Sequence, residues 1–150
     1  MSTTIRQAVL SDIEALVPLF DDYRQFYGRP SDRDAAREFL LARFNHGESV
    51  LFIAHDSNLP VGFAQLYPSF SSAALARTFI LNDLFVSVHD RRKGVGSLLL
   101  AAAIEFAKPL GAIRLSLSTA TTNEIAQALY QCAGWKRDEQ FLVYHYAIQA

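Results

Sequence analysis

The chain has 150 residues, of which 51% are hydrophobic, 12% aromatic and 19% charged. A disordered tail or scaffold needs the opposite balance, whereas a domain of this length buries roughly 70% of the surface its unfolded chain exposes. Fourteen Lys and Arg against fifteen Asp and Glu leave a net charge of −1. That total gives no global reason to bind nucleic acid or an anionic membrane. The single cysteine, Cys132, excludes an intrachain disulfide framework and a cysteine-rich zinc site. The opening residues lack the apolar core of a signal peptide, and no apolar run approaches the ~18 residues of a membrane span. A soluble cytoplasmic protein is the expectation.

Thr3 to Ala8 reads as a short strand. Ser11-Asp12-Ile13-Glu14 has the pattern of a capping box, with Ile13, Leu16, Val17 and Phe20 following at helical spacing. Pro18 lies inside that helix, where its missing N–H predicts a kink. After the loop Tyr27-Gly28-Arg29-Pro30, a second helix begins at Ser31 and buries Ala36, Phe39, Leu40 and Phe44. Val50 to His55 and Val61 to Tyr67 read as a hairpin around a polar turn, and Pro68 to Ser72 as a loop. Ala76 to Val88 is a long and almost wholly apolar strand, which suits a central position covered on both faces.

A helix starts near Gly94 with the stripe Leu98, Leu99, Ala102, Ala103 and Phe106, and Pro109-Leu110-Gly111 ends it. Ile113, Leu115 and Leu117 alternate with polar residues, as a strand does. Asn123 to Ala133 is a further helix ending at Gly134. Phe141 to Ile148 reads as a closing strand, aromatic at alternate positions. The order β-α-α-β-β-β-α-β-α-β contains one parallel crossover among antiparallel hairpins. It predicts an α/β (α+β) domain with a mixed, mostly antiparallel twisted sheet and helices on both faces.

The local cluster that the near-zero total charge hides is Arg91-Arg92-Lys93-Gly94-Val95-Gly96-Ser97, between the apolar strand and an amphipathic helix. A helix N-terminus offers N–H groups without intrahelical partners and the positive end of the dipole. Two glycines let an anion approach the backbone, and three cations add charge. A pyrophosphate is the natural ligand. The dinucleotide fingerprint is excluded, because its third glycine position holds Leu99, and there is no Walker A sequence.

Arg91-x-x-Gly94-x-Gly96 resembles the acetyl-CoA pyrophosphate motif of the GNAT superfamily of N-acetyltransferases. Asn123-x-x-Ala126-x-x-Leu129-Tyr130-x-x-x-Gly134-Trp135 is similar to a later motif of that family, and the element order also agrees. Ile80 to Val86, with Asp22 to Tyr27, resembles a narrower group of small histone- and polyamine-type acetyltransferases. The resemblance implies one GNAT-like domain over residues 1–150, with six to seven strands and about four helices. It implies acetyl-CoA as acyl donor, released as CoA. Phe85, Val86 and Val88 are then expected along the pantetheine arm. Arg91, Arg92, Lys93, Gly94, Val95, Gly96 and Ser97 are expected at the pyrophosphate, and Asn123, Ala126 and Tyr130 on the other side of the cofactor. A homodimer through Phe141 to Ile148 is the expected assembly.

Acetyl transfer to an amine needs a proton acceptor, because an alkylamine has a pKa of about 10.4. It also needs a donor to the departing thiolate, for which a phenol serves. Tyr130 is the expected acid. Several family members have a glutamate nine residues before the position of Arg91, and here that residue is Asn82. Asp83 follows it, but strand alternation turns Asp83 to the other face unless a bulge re-aims it. The acceptor side is expected from the first two helices, where Asp21, Asp22, Tyr23 and Tyr27 suit a cationic amine such as a polyamine, a small amine metabolite or a lysine. His46, His55, His89 and His145 show no metal-ligand spacing, so no metal is expected. The alternative is a non-catalytic acyl-CoA-binding sensor or interaction module, which the missing glutamate favours.

Overall fold

The computed structural model describes residues 2–149. They fall into two units, residues 2–118 and residues 119–149.

The first unit holds a five-stranded sheet in the order of the sequence: β1 (Thr3–Gln7), β2 (Val50–Asp56), β3 (Leu59–Ser71), β4 (Ala76–Val86) and β5 (Arg114–Ser116). The first three pairings are antiparallel and β4–β5 is parallel. Helices α1 (Ile13–Phe26) and α2 (Arg33–Asn45) join β1 to β2, and α3 (Val95–Ala107) makes the crossover from β4 to β5. Alternation sends Leu51, Ile53 and Phe63 to one face, where they pack with Leu16, Val17 and Phe20 of α1 and Ala36 and Leu40 of α2. On the opposite face Phe52 and Phe79 meet Phe106 of α3 edge-on, with ring centroids 5.6 and 5.7 Å apart. Both faces are thus covered, as the apolar composition of β4 predicts.

Several boundaries differ from those the sequence predicts. The box Ser11 to Glu14 does not cap α1. A short 3-10 turn over Leu10–Asp12 precedes the helix, and the Asp12 carboxylate accepts the Val9 N–H at 2.7 Å while pairing with Arg6 at 2.7 Å. Asp32, not Ser31, caps α2 through the Ala35 N–H at 3.1 Å. The helix α1 continues through Pro18. β3 also runs through Pro68, because beyond Leu66 it pairs only with β4. A proline on that open edge removes no ladder bond. The hairpin β2–β3 turns at Ser57 and Asn58, with φ of 50° and 72°, the doubly left-handed turn that matches strand twist.

The second unit contains α4 (Glu124–Cys132). The expected closing strand is absent: residues 141–148 are assigned to no strand and every one is exposed. Their alternation is a strand pattern, but a strand forms only where a neighbouring edge takes up its N–H and C=O groups. The described residues therefore hold five strands instead of six or seven. Among them, no helix is long and apolar enough to cross a membrane.

Candidate active site

The irregularity at the centre of the site is a β-bulge in β4. Gln65 lies opposite Asp83, yet Leu66 lies opposite Leu81, so Asn82 is the extra residue. Without the bulge, alternation would put Phe79, Leu81, Asp83 and Phe85 on one face. The bulge divides them. Phe79 packs on Phe106 of α3, while Phe85 meets Tyr23 of α1, with ring centroids 6.3 Å apart. Asp83 goes with Phe85, into the side covered by α1 and α2.

Asp83 is buried, at 1% exposure. Its carboxylate accepts Asn82 Nδ2 at 2.8 Å and also accepts Gln65 Nε2. The Tyr23 hydroxyl lies beside it and donates to the Asn82 carbonyl at 3.3 Å. Burial outweighs these donors and raises the Asp83 pKa above the ordinary carboxylate range. Burial, reinforced by the Asp83 charge, holds the neighbouring phenols protonated: the Tyr67 pKa is pushed up to about 12, and that of Tyr23 also rises. Gln65 is fully buried, and its Oε1 has no hydrogen-bond partner among the described residues.

Asp83 and Asn82 line a cavity of about 480 Å³, within the range of small-molecule sites. Tyr23 and Tyr67 stand next to them, Phe20, Ala36 and Phe39 form an apolar wall, and Arg24 and Arg29 complete it. Of the expected acceptor residues only Tyr23 reaches this cavity. Tyr27 is exposed and packs edge-on against Tyr23, with ring centroids 5.1 Å apart. Asp22 is exposed on α1 and is not part of the lining. Asp21 is buried and serves the backbone: it accepts Ser31 Oγ at 2.7 Å, the Asp32 N–H at 2.8 Å and Gln25 Nε2 at 3.1 Å. Burial opposes its ionisation, but these donors prevail and leave its pKa below the usual range. Gln65, Tyr67, Arg24 and Arg29 have no motif that marks them. They meet through strand register and helix packing.

At the other end of β4, the parallel ladder with β5 covers only Thr78 to Ile80 against Arg114 to Ser116. Beyond Ile80 the two strands are no longer paired. The Ser87 N–H donates to Val61 C=O of β3 at 2.8 Å, so antiparallel alternation turns the backbone of Phe85 to β3 and that of Leu84 and Val86 to the opened edge. Of the expected pantetheine partners, Val86 is the one whose backbone faces outward there, and its carbonyl accepts Arg91 Nε at 2.8 Å. The Arg91 guanidinium also lies over the rings of Phe85 and Phe26, at 5.5 and 5.8 Å. Val88 lies past the strand, in the 3-10 turn Val88–Asp90, because β4 ends at Val86.

Arg92 and Gly94 are both left-handed, with φ of 65° and 81°, a backbone that turns successive N–H groups inward. The first intrahelical bond of α3 runs from the Leu98 N–H to Gly94 C=O. The N–H groups of Val95, Gly96 and Ser97 are therefore left to an outside acceptor. Lys93 reaches back to Asp90 at 3.5 Å. Donor chemistry and backbone shape both fit a pyrophosphate.

In the second unit, Asn123 is the N-cap of α4, its Oδ1 accepting the Ala126 N–H at 3.1 Å. At the other end Gly134 is left-handed, with φ of 92°; its N–H donates to Gln131 C=O at 3.1 Å and that of Trp135 to Tyr130 C=O at 3.0 Å. This is a Schellman cap, and the Tyr130 and Trp135 rings that accompany it are 6.3 Å apart. The spacing Asn123, Ala126, Tyr130, Gly134 is thus first of all the spacing of two helix caps.

Residues 16–135 match the acetyltransferase (GNAT) family. The Bacillus subtilis protein named "Uncharacterized N-acetyltransferase YhfO" is 47% identical over 93% of this chain and 94% of its own length. A crystal structure of a probable acetyltransferase, 40% identical, has a TM-score of 0.94 over 98% of this chain and 99% of its own. An aminoglycoside N-acetyltransferase, AAC(6')-Iy, crystallised with CoA shares the fold at 23% identity, with a TM-score of 0.79 over 97% of this chain and 95% of its own. By family match and by identity alike, the chain belongs to the GNAT family of acetyltransferases.

Proposed function

We propose that this N-acetyltransferase moves the acetyl group of acetyl-CoA directly to the amine of a small molecule bound against Asp83. The observation that carries the reading is the opened edge of β4. It offers the Val86 N–H and C=O to an extended pantetheine arm, and it leads to the N–H groups of Val95, Gly96 and Ser97 for the pyrophosphate. Arg91, Arg92 and Lys93 add charge beside them, with Arg91 giving up the Val86 carbonyl. Acetyl-CoA supplies the activated acetyl group. Asp83 takes the proton of the incoming ammonium, a role that suits a carboxylate whose pKa is raised by burial. Asn82 holds Asp83 in place and does not itself accept a proton. The Val86 N–H polarises the thioester carbonyl. The Tyr130 phenol protonates the leaving thiolate, and Asn123 Nδ2 remains a donor to the cofactor arm while its Oδ1 caps α4.

Both units belong in this reading to one domain over residues 1–150, since the family match runs through both. Of the polyamines, small amines and lysines weighed for the acceptor, the cavity volume supports a small molecule. Assembly as a homodimer through Phe141 to Ile148 would cover a run of apolar side chains that is exposed in the single chain. A non-catalytic CoA sensor has no use for a buried proton acceptor, and Asp83 argues against it.

The test is a thermal shift with CoA followed by an amine panel with acetyl-CoA. CoA at about 100 times its Kd stabilises by ~2.7 kcal/mol, which is about 5–10 °C for a chain of this size. 3′,5′-ADP competes with it and ATP does not. No shift at millimolar CoA, or no acetylated amine, refutes the proposal.

A further inference from the structure

Two guanidinium groups line the cavity beside Asp83, Arg24 from α1 and Arg29 from the loop that follows it. Among the described residues neither forms an ion pair. The Arg24 guanidinium makes one long hydrogen bond, to Pro30 C=O at 3.4 Å. Among the described residues the Arg29 guanidinium makes none, while its backbone N–H donates to Arg24 C=O at 3.0 Å. Two arginines of α2 are matched instead: Arg37 with Glu14 at 2.8 Å and Asp34 at 3.2 Å, and Arg43 with Glu48 at 3.0 Å. The Asp21 carboxylate feels the Arg24 charge only through space, since it is buried and engaged by Ser31, Asp32 and Gln25. The wall therefore holds two cations with no carboxylate in contact, and Asp83 is the one carboxylate among its lining residues. The wall also carries the stacked rings of Phe20 and Phe39, 5.8 Å apart.

That distribution does not suit a polycation, whose far amines would meet the guanidinium groups. It suits a molecule with both signs of charge. We propose that the acceptor is a small amine that also carries a carboxylate, amino-acid-like with an apolar body. Its amine faces Asp83, its body lies on the aromatic wall, and its carboxylate faces Arg24 and Arg29. The guanidinium fork matches a carboxylate with two parallel hydrogen bonds. The inference rests on the acetyl-transfer reading of the same cavity. In the reaction one ammonium proton goes to Asp83, the freed amine nitrogen bonds the acetyl carbon, the carbon–sulfur bond breaks, and the second nitrogen proton passes to the thiolate, which leaves as the CoA thiol.

The experiment compares amino acids having apolar side chains with their amides, with the decarboxylated amines, and with diamines and polyamines. The acid is expected to exceed its amide at least 10-fold in kcat/KM. Arg24→Gln and Arg29→Gln each raise KM for the acid about 10-fold or more with a smaller change in kcat, so the acid-to-amide ratio collapses toward one, and Arg29→Lys restores part of it. Melting temperatures of the variants, which lose almost no contacts, show that they fold. Diamines or amides used as well as the acids, or a ratio unchanged in both glutamine variants, overturns the inference while leaving acetyl transfer intact. If no amine in the panel is acetylated, the acetyl-transfer reading falls and this inference falls with it.

Discussion

Replacing Asp83 by Asn removes the proposed base and keeps its shape. The Asn oxygen still accepts Asn82 Nδ2, which lies at 2.8 Å. Its amide nitrogen meets Gln65 Nε2, donor against donor, but a half-turn of the Gln65 amide brings round Oε1, which has no partner among the described residues. The count of satisfied hydrogen bonds is kept while a buried charge is removed. Burial raises the Asp83 pKa, so the native state binds this proton more tightly than the unfolded chain does. That favours folding below the unfolded value near 3.9, and the advantage disappears as pH rises through the native pKa. Asn carries no such penalty. The variant should therefore equal wild type near pH 4 and exceed it at pH 8 by about 1–2 kcal/mol, or about 2–8 °C. Over the same range kcat/KM should drop by about 10²–10⁴. Thermal melts from pH 4 to 9 and steady-state acetylation measure both. Turnover kept within 10-fold, or a variant markedly less stable than wild type at pH 8, would refute the reasoning.

Two further outcomes follow from the geometry. A Cβ on Gly62 would lie 2.8 Å from the Phe85 carbonyl oxygen and 3.5 Å from Leu99 Cδ1. Gly62→Ala must therefore push β3 from β4, at a cost of about 1–3 kcal/mol that urea unfolding reads directly; an unchanged midpoint contradicts the close packing. Tyr130→Phe keeps the backbone carbonyl that closes the α4 cap, so CoA binding by calorimetry should change little while kcat falls. Equal losses in both would make Tyr130 a binding residue and not the acid.

Local chemistry makes much of the fold legible in the sequence. The apolar run of β4, the polar hairpin turn at Ser57 and Asn58, and the glycines at 94 and 134 act over a few neighbours, and the sequence states those neighbours outright. The proposed pyrophosphate site is legible for the same reason: it is built from consecutive N–H groups at one helix start. Legibility ends where the deciding partner is distant in the chain. Ser11 has the pattern of a cap, but Asp12 takes the Val9 N–H because Arg6 holds it. Pro68 looks like a loop residue, but it lies on an edge where no N–H is needed. Phe141 to Ile148 has strand alternation but forms no strand, because alternation by itself supplies no partner for its N–H and C=O groups.

The candidate base shows the division most clearly. By the family resemblance, Asn82 occupies the position where several family members have a glutamate, and Asp83 looks wrongly aimed. Register alone decides otherwise. One unpaired residue in β4 rotates Asp83 into the cavity, and only the pairing of β4 with β3 can reveal it. Likewise Asp21 and Arg24 are near neighbours on α1, and the sequence cannot tell which serves the acceptor. Tertiary packing ties Asp21 to Ser31 and Asp32 and leaves Arg24 at the cavity wall. Sequence determined most of the elements and the candidate anion site, because those depend on adjacent residues. The side chains that line the cavity were settled by strand register and helix packing, which depend on residues far apart in the chain.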